Sequence, residues 1–151
     1  MPAAKIIRFV QLCRRRQYLL AESLVALAVA SAAVRFLPFR RAVGIGSRRL
    51  SGPVPSDHSE ILRDARWSIE AAATAVPWRA VCLQKGLALQ WMLRRRGIDA
   101  LLHYGIAKEI PGQLEAHVWV TVDQRFVIGG EIADRFRSVA TFPRAEPAIA
   151  K

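Results

Sequence analysis

The chain has 151 residues, 52% of them hydrophobic and 23% charged, with a mean hydropathy of +0.17. That length predicts one domain, or a compact catalytic core with one helical segment attached, able to bury a core without disulfides or metal, and the composition excludes a disordered chain. The 23 Lys and Arg against 12 Asp and Glu give a net charge of +11, and the two cysteines, Cys13 and Cys82, lie far apart; this points to an anionic partner (nucleic acid, membrane surface or acidic peptide) and excludes a disulfide scaffold.

In residues 1–35, Lys5, Arg8 and Arg14 to Arg16 precede an uncharged stretch, Ser23 to Val34, that ends in small residues. Such a segment resembles a secretory signal peptide, and Arg15-Arg16 has a twin-arginine flavour. Against that, Glu22 interrupts the apolar region, and Arg35 ends it well short of the roughly 20 residues a membrane span needs. Leu20, Leu24, Leu27 and Val34 recur at helical spacing, so the expectation is a buried helix in a cytoplasmic protein. Pro38 ends it, and the glycines and prolines of residues 44–56 read as a linker.

A second helix opens at Ser56 to Glu60, runs through Ile61, Ala65, Ile69 and Ala72, and stops before Pro77. A third is expected from about Arg79 or Ala80. Leu83, Leu87, Leu89, Trp91 and Leu93 leave it little polar face, Arg94 to Arg96 suit its negative end, and Gly97 terminates it. Cys82 falls in its first turn. Unpaired amides at a helix N-terminus favour a thiolate there, although a lone cysteine is more often a small buried hydrophobe.

Strand-type residues then follow in Asp99 to Ala107, Leu114 to Val122 and Arg125 to Ile128, with turns at Pro111-Gly112 and Asp123-Gln124 and a stop at Gly129-Gly130. They predict a three-stranded antiparallel meander. Alternation puts Glu115, His117, Trp119 and Thr121 on one face and Ala116, Val118, Val120 and Val122 on the other. If the Cys82 helix packs on the first face, His117 can take the thiol proton; on its own, His117 reads as a structural histidine. His58 and His103 have no evident partner, and no zinc-ligand spacing links Cys82 to the histidines, so no metal is expected.

A cysteine on a buried helix, then a histidine on a strand, then an acid resembles the transglutaminase-like branch of papain-type cysteine hydrolases. More closely, Cys82-Leu83, Leu87-Ala88-Leu89, Leu93 to Ala100, Gly105-Ile106 and Ala116 to Val120 resemble the lasso-peptide maturation proteases. The resemblance covers about residues 60–142, and the helices ending in Leu37-Pro38-Phe39-Arg40 also fit. It implies an α+β fold in which a buried Cys-bearing helix packs on an antiparallel sheet, with residues 1–50 a helical segment that packs on the core or docks partners, 56–142 the protease core and 143–151 a tail. It implies Cys82 as nucleophile and His117 as general base, with the precursor (leader) peptide as substrate. It also implies a separate small leader-recognition protein, since the chain opens with helices, and a macrolactam-forming cyclase as a further partner.

The family's acid usually lies a dozen residues after the histidine, where this chain has Gly129. Asp123 is six residues from His117, roughly 20 Å along a strand. A two-residue turn places His117 opposite Gly130, which favours Glu131 as the orienting acid over Asp123 and Asp134; a backbone carbonyl is the remaining choice. No phosphate-cradling glycine loop is present, so no cofactor is expected in this chain. The arginine clusters are scattered and accompany no nucleic-acid motif, so no specific nucleic acid is expected. A membrane-surface protein and a transglutaminase-like acyl transferase stand as rival readings.

Overall fold

The computed structural model describes residues 10–47, 56–107, 112 and 114–144; the rest of the expected linker, the Pro111 turn residue and most of the tail lie outside them. Proline and glycine set the helix boundaries much as their backbone chemistry requires. Helix α1, Arg14–Phe36, ends ahead of Pro38, which caps α2, Phe39–Gly46. Residues 44–46, expected in a linker, are thus helical. Gly46 is there for close approach: a Cβ on it would stand 2.7 Å from Gln90 Oε1 of the cysteine-bearing helix.

Helix α3, Ser59–Ala75, starts where Asp57 Oδ1 accepts the Ser59 N–H at 3.0 Å and stops two residues before Pro77. That amide, with the Ser59 hydroxyl, holds the Asp57 carboxyl below its usual range. Helix α4, Cys82–Arg95, begins later than expected, at the cysteine itself. Gln84 Oε1 accepts the Val81 N–H at 3.0 Å, which satisfies one donor at the helix entrance. At the other end Gly97 adopts a left-handed conformation, and the Ile98 N–H returns to Leu93 O at 3.1 Å.

Among the described residues four strands follow: β1, Ala100–Ala107; β2, Ala116–Val122; β3, Arg125–Ile128; and β4, Phe136–Phe142, the last preceded by a 3₁₀ helix, Gly130–Arg135. The order is β3-β2-β1-β4 and every pairing is antiparallel. Asp123 and Gln124, both at positive φ, form the two-residue turn joining β2 to β3, the geometry that matches strand twist. The expected meander is present, but β4 adds a strand on the far edge of β1. Its exposed Arg137, Ser138 and Val139 give no apolar alternation, so its sequence hides it.

The helices form one layer and the sheet the other. Leu27, Ile69, Leu89, Met92, Leu93, Leu102 and Val120 are fully buried between and within them. Helix α1 packs chiefly on α3 and α4 through Ser23, Ala26, Leu27, Ala30 and Ala33, and Ser23 Oγ donates to Ser68 Oγ at 2.8 Å. By length and composition alone α1 is also apolar enough to cross a membrane. Gln90 Nε2 donates to Ala100 O at 3.1 Å and Phe142 O at 2.7 Å, tying α4 to the first and last strands.

Candidate active site

Helix α4 lies on the apolar face of the sheet. A Cβ at Gly86 would come within 2.8 Å of Val118 Cγ1 and 3.3 Å of Leu102 Cδ1, so glycine lets the helix axis approach the strands. The condition that would set His117 directly beneath the helix is therefore not met: α4 covers the Val118 face instead. The reason is hydrophobic: Val118, Val120 and Val122 present no polar atom and must be buried, whereas the His117, Trp119 and Thr121 face carries polar groups that tolerate partial exposure.

Cys82 and His117 nevertheless stand at the same end of the sheet. Gly86 lies over Val118, and Gln90 reaches Ala100, the partner of Val122, so α4 runs from the start of β2 toward its end. Cys82, half-buried and free, is four residues before Gly86, about 6 Å back along the helix. That brings it level with the first residues of β2. Along that stretch no strand among the described residues pairs with the outer side of β2, because β3 pairs only with Val120 to Val122. Among the described residues no hydrogen bond joins Cys82 to His117.

The imidazole of His117 is held in place. It packs beside Phe136, with ring centroids 5.1 Å apart, and beside Trp119 at 6.1 Å. Its Nε2 donates to Gly129 O at 2.7 Å, which in the neutral ring leaves Nδ1 as the proton acceptor. The carbonyl, not a carboxylate, therefore occupies the orienting position. The two-residue turn is as expected, but a register shift between Val120 and Thr121 pairs Val120 with Ile128, and the ladder ends there. Gly129 then turns away at φ +75°, with room for a Cβ only 2.6 Å from Val118 O. Only glycine fits such a position without strain.

The expected acids go elsewhere. Glu131, in the 3₁₀ helix, is 62% exposed and pairs with Arg66 of α3 at 2.7 Å. Asp123, in the hairpin turn, pairs with His58 at 3.0 Å. Asp134 is exposed on the same 3₁₀ helix as Glu131.

His58 and His103, for which the sequence showed no partner, thus both have one. His103 stacks on Trp119 at 5.5 Å, with Nε2 2.8 Å from Thr121 Oγ1 and Nδ1 3.1 Å from Thr141 Oγ1. Burial pushes its pKa down. With both nitrogens engaged by hydroxyls it is a structural histidine. Thr121 could have been found from strand alternation, but Thr141 sits on the strand the sequence concealed. Among the described residues no group of three His, Cys, Asp or Glu could hold a metal ion.

A cysteine opening a buried helix, packed on an antiparallel sheet that carries a histidine at the same end, defines an α+β domain. Residues 24–141 match the family model of the transglutaminase-like superfamily. The chain belongs to that superfamily, which includes cysteine proteases and acyl transferases. No curated protein and no solved structure matches it.

Proposed function

We propose that the protein is a cysteine peptidase that removes the leader from a ribosomally made precursor peptide in lasso-peptide biosynthesis. The observation that carries the chemistry is the pairing of positions at one end of the sheet: Cys82 as the first residue of α4, and His117 with Nε2 tied to Gly129 O and Nδ1 left to accept a proton. The lasso assignment rests on the motif resemblance from Cys82-Leu83 to Ala116 to Val120.

In this reading the imidazole meets the thiol round the outer edge of β2. Nδ1 takes the Cys82 proton as the sulfur attacks the scissile carbonyl, and the tetrahedral oxyanion accepts a hydrogen bond from the Cys82 backbone N–H at the helix start. Collapse expels the leaving amine, which takes the proton from His117, and leaves a thioester. Water then attacks with its proton passing to His117, and the acid and the free thiol are released. These steps call on no cofactor. A small leader-recognition protein presents the substrate, the macrolactam-forming cyclase consumes the product, and the reaction is cytoplasmic.

Mass spectrometry of the precursor incubated with the protein and its leader-binding partner tests this. Wild type releases free leader, and Cys82→Ala, which removes the nucleophile, releases none. Transfer to an added amine in place of hydrolysis assigns the protein to the acyl transferases. No cleavage by folded wild type with every partner present rejects the peptidase.

A further inference from the structure

Helix α1 has an inward side that belongs to the core and an outward side unlike any other helical surface here. From residue 17 to residue 34 the exposed positions are Tyr18, Ala21, Val25, Ala28, Val29 and Ala32. Their spacing of three and four draws one line along the helix, and Phe36 extends it. Over this span, about 27 Å at 1.5 Å per residue, no charged side chain faces out. Tyr18 is 75% exposed, Val25 57% and Phe36 78%. The single acid of the helix, Glu22, is turned away toward Arg96, 2.6 Å off.

Cations stand at both ends. Arg14 falls on the same line one turn before Tyr18, and Arg35 places its guanidinium 5.8 Å from the Phe36 ring centroid. Exposed Arg40 and Arg41 follow on α2. An apolar centre with an aromatic and arginines at each end, and no outward acid, is complementary to a bilayer whose headgroups are anionic: acyl chains take the centre, and the ends sit at headgroup level.

We propose that this face of α1 rests on the surface of an anionic membrane, with the helix lying in the plane of the interface. Crossing the membrane would strip fully buried Leu27 from the core and break the Ser23–Ser68 and Glu22–Arg96 bonds; lying on it leaves them intact. The proposal stands apart from the peptidase reading, since none of these residues belongs to the Cys82–His117 site.

Co-sedimentation of the full chain with phosphatidylcholine vesicles, with and without phosphatidylglycerol, tests it. Binding is expected at least tenfold tighter with the anionic lipid. It should fall at least tenfold in Val25→Glu/Val29→Glu and several-fold in Arg14→Gln/Arg35→Gln, with circular dichroism unchanged. Both substituted pairs are exposed, so the fold survives them, and alkaline carbonate should release the bound protein. Three outcomes overturn the proposal: equal binding of Val25→Glu/Val29→Glu and wild type, retention through carbonate, or no vesicle binding by a wild type whose sedimentation velocity shows a dimer that those substitutions dissociate.

Discussion

The two faces of the sheet are built from alternate residues of the same strands, yet they serve different ends. On one, Val118, Val120, Val122 and Leu102 lie under α4 and are buried almost completely. On the other, His117, Trp119, His103 and Thr121 bond to carbonyls and hydroxyls and stack on one another. One strand can thus carry structure and chemistry because its period of two separates them, as long as the two meet somewhere. In the proposed mechanism they meet at the start of β2, beyond the last β2–β3 pair among the described residues.

The sharpest test of that division sets His117→Ala beside Leu102→Ala. The first should lower leader cleavage by about 10²–10⁴-fold for a stability cost of about 1 kcal/mol, that of the lost Gly129 O hydrogen bond. The second should cost about 2–5 kcal/mol of stability while the folded fraction cleaves at the wild-type rate. Loss of activity in fully folded Leu102→Ala would break the comparison.

Gly129→Ala should blur the two effects, because the residue stands between the faces. A Cβ at positive φ against Val118 O should cost about 1–3 kcal/mol, and displacing the carbonyl from His117 Nε2 should also slow cleavage. Denaturation and single-turnover kinetics on one preparation would show both changes.

His103 contributes a smaller, pH-dependent term. Its pKa is lowered in the folded protein by burial, so the unfolded chain binds the proton more readily. The contribution is full above about pH 6.5 and is lost as the pH falls below that. Thermal midpoints measured between pH 7.5 and pH 5 should fall, and His103→Gln should flatten the decline.

The smallest effect is expected at Glu131. Its pair with Arg66 is exposed, so Glu131→Gln should change stability by less than about 0.5 kcal/mol. Cleavage should also hold, because the Gly129 carbonyl orients His117. A tenfold loss of cleavage with the fold intact would return Glu131 to the catalytic group.

Local chemistry was legible in the residues themselves. Pro38 and Pro77 ended helices because proline has no amide hydrogen, and Gly97 closed α4 because it accepts a left-handed conformation. Asp123-Gln124 formed a two-residue turn between two runs of alternating residues. Gly46 misled for the opposite reason: glycine marks close approach as well as flexibility, and only the position of Gln90 tells which applies. Strand β4 stayed hidden because an edge strand with one half-exposed face needs little hydrophobic alternation.

By itself the sequence determined the order of the three long helices and the first three strands, the placing of Cys82 in the first turn of a helix and of His117 on a strand. These follow from backbone stereochemistry and from periodicity within a dozen residues. Only the tertiary structure decided which face α4 would cover and which atom would hold His117. The first depends on which surface loses more by staying wet. The second depends on the β2–β3 ladder ending at Ile128, where Gly129 turns away at positive φ and sets its carbonyl, rather than the Glu131 carboxylate, against His117.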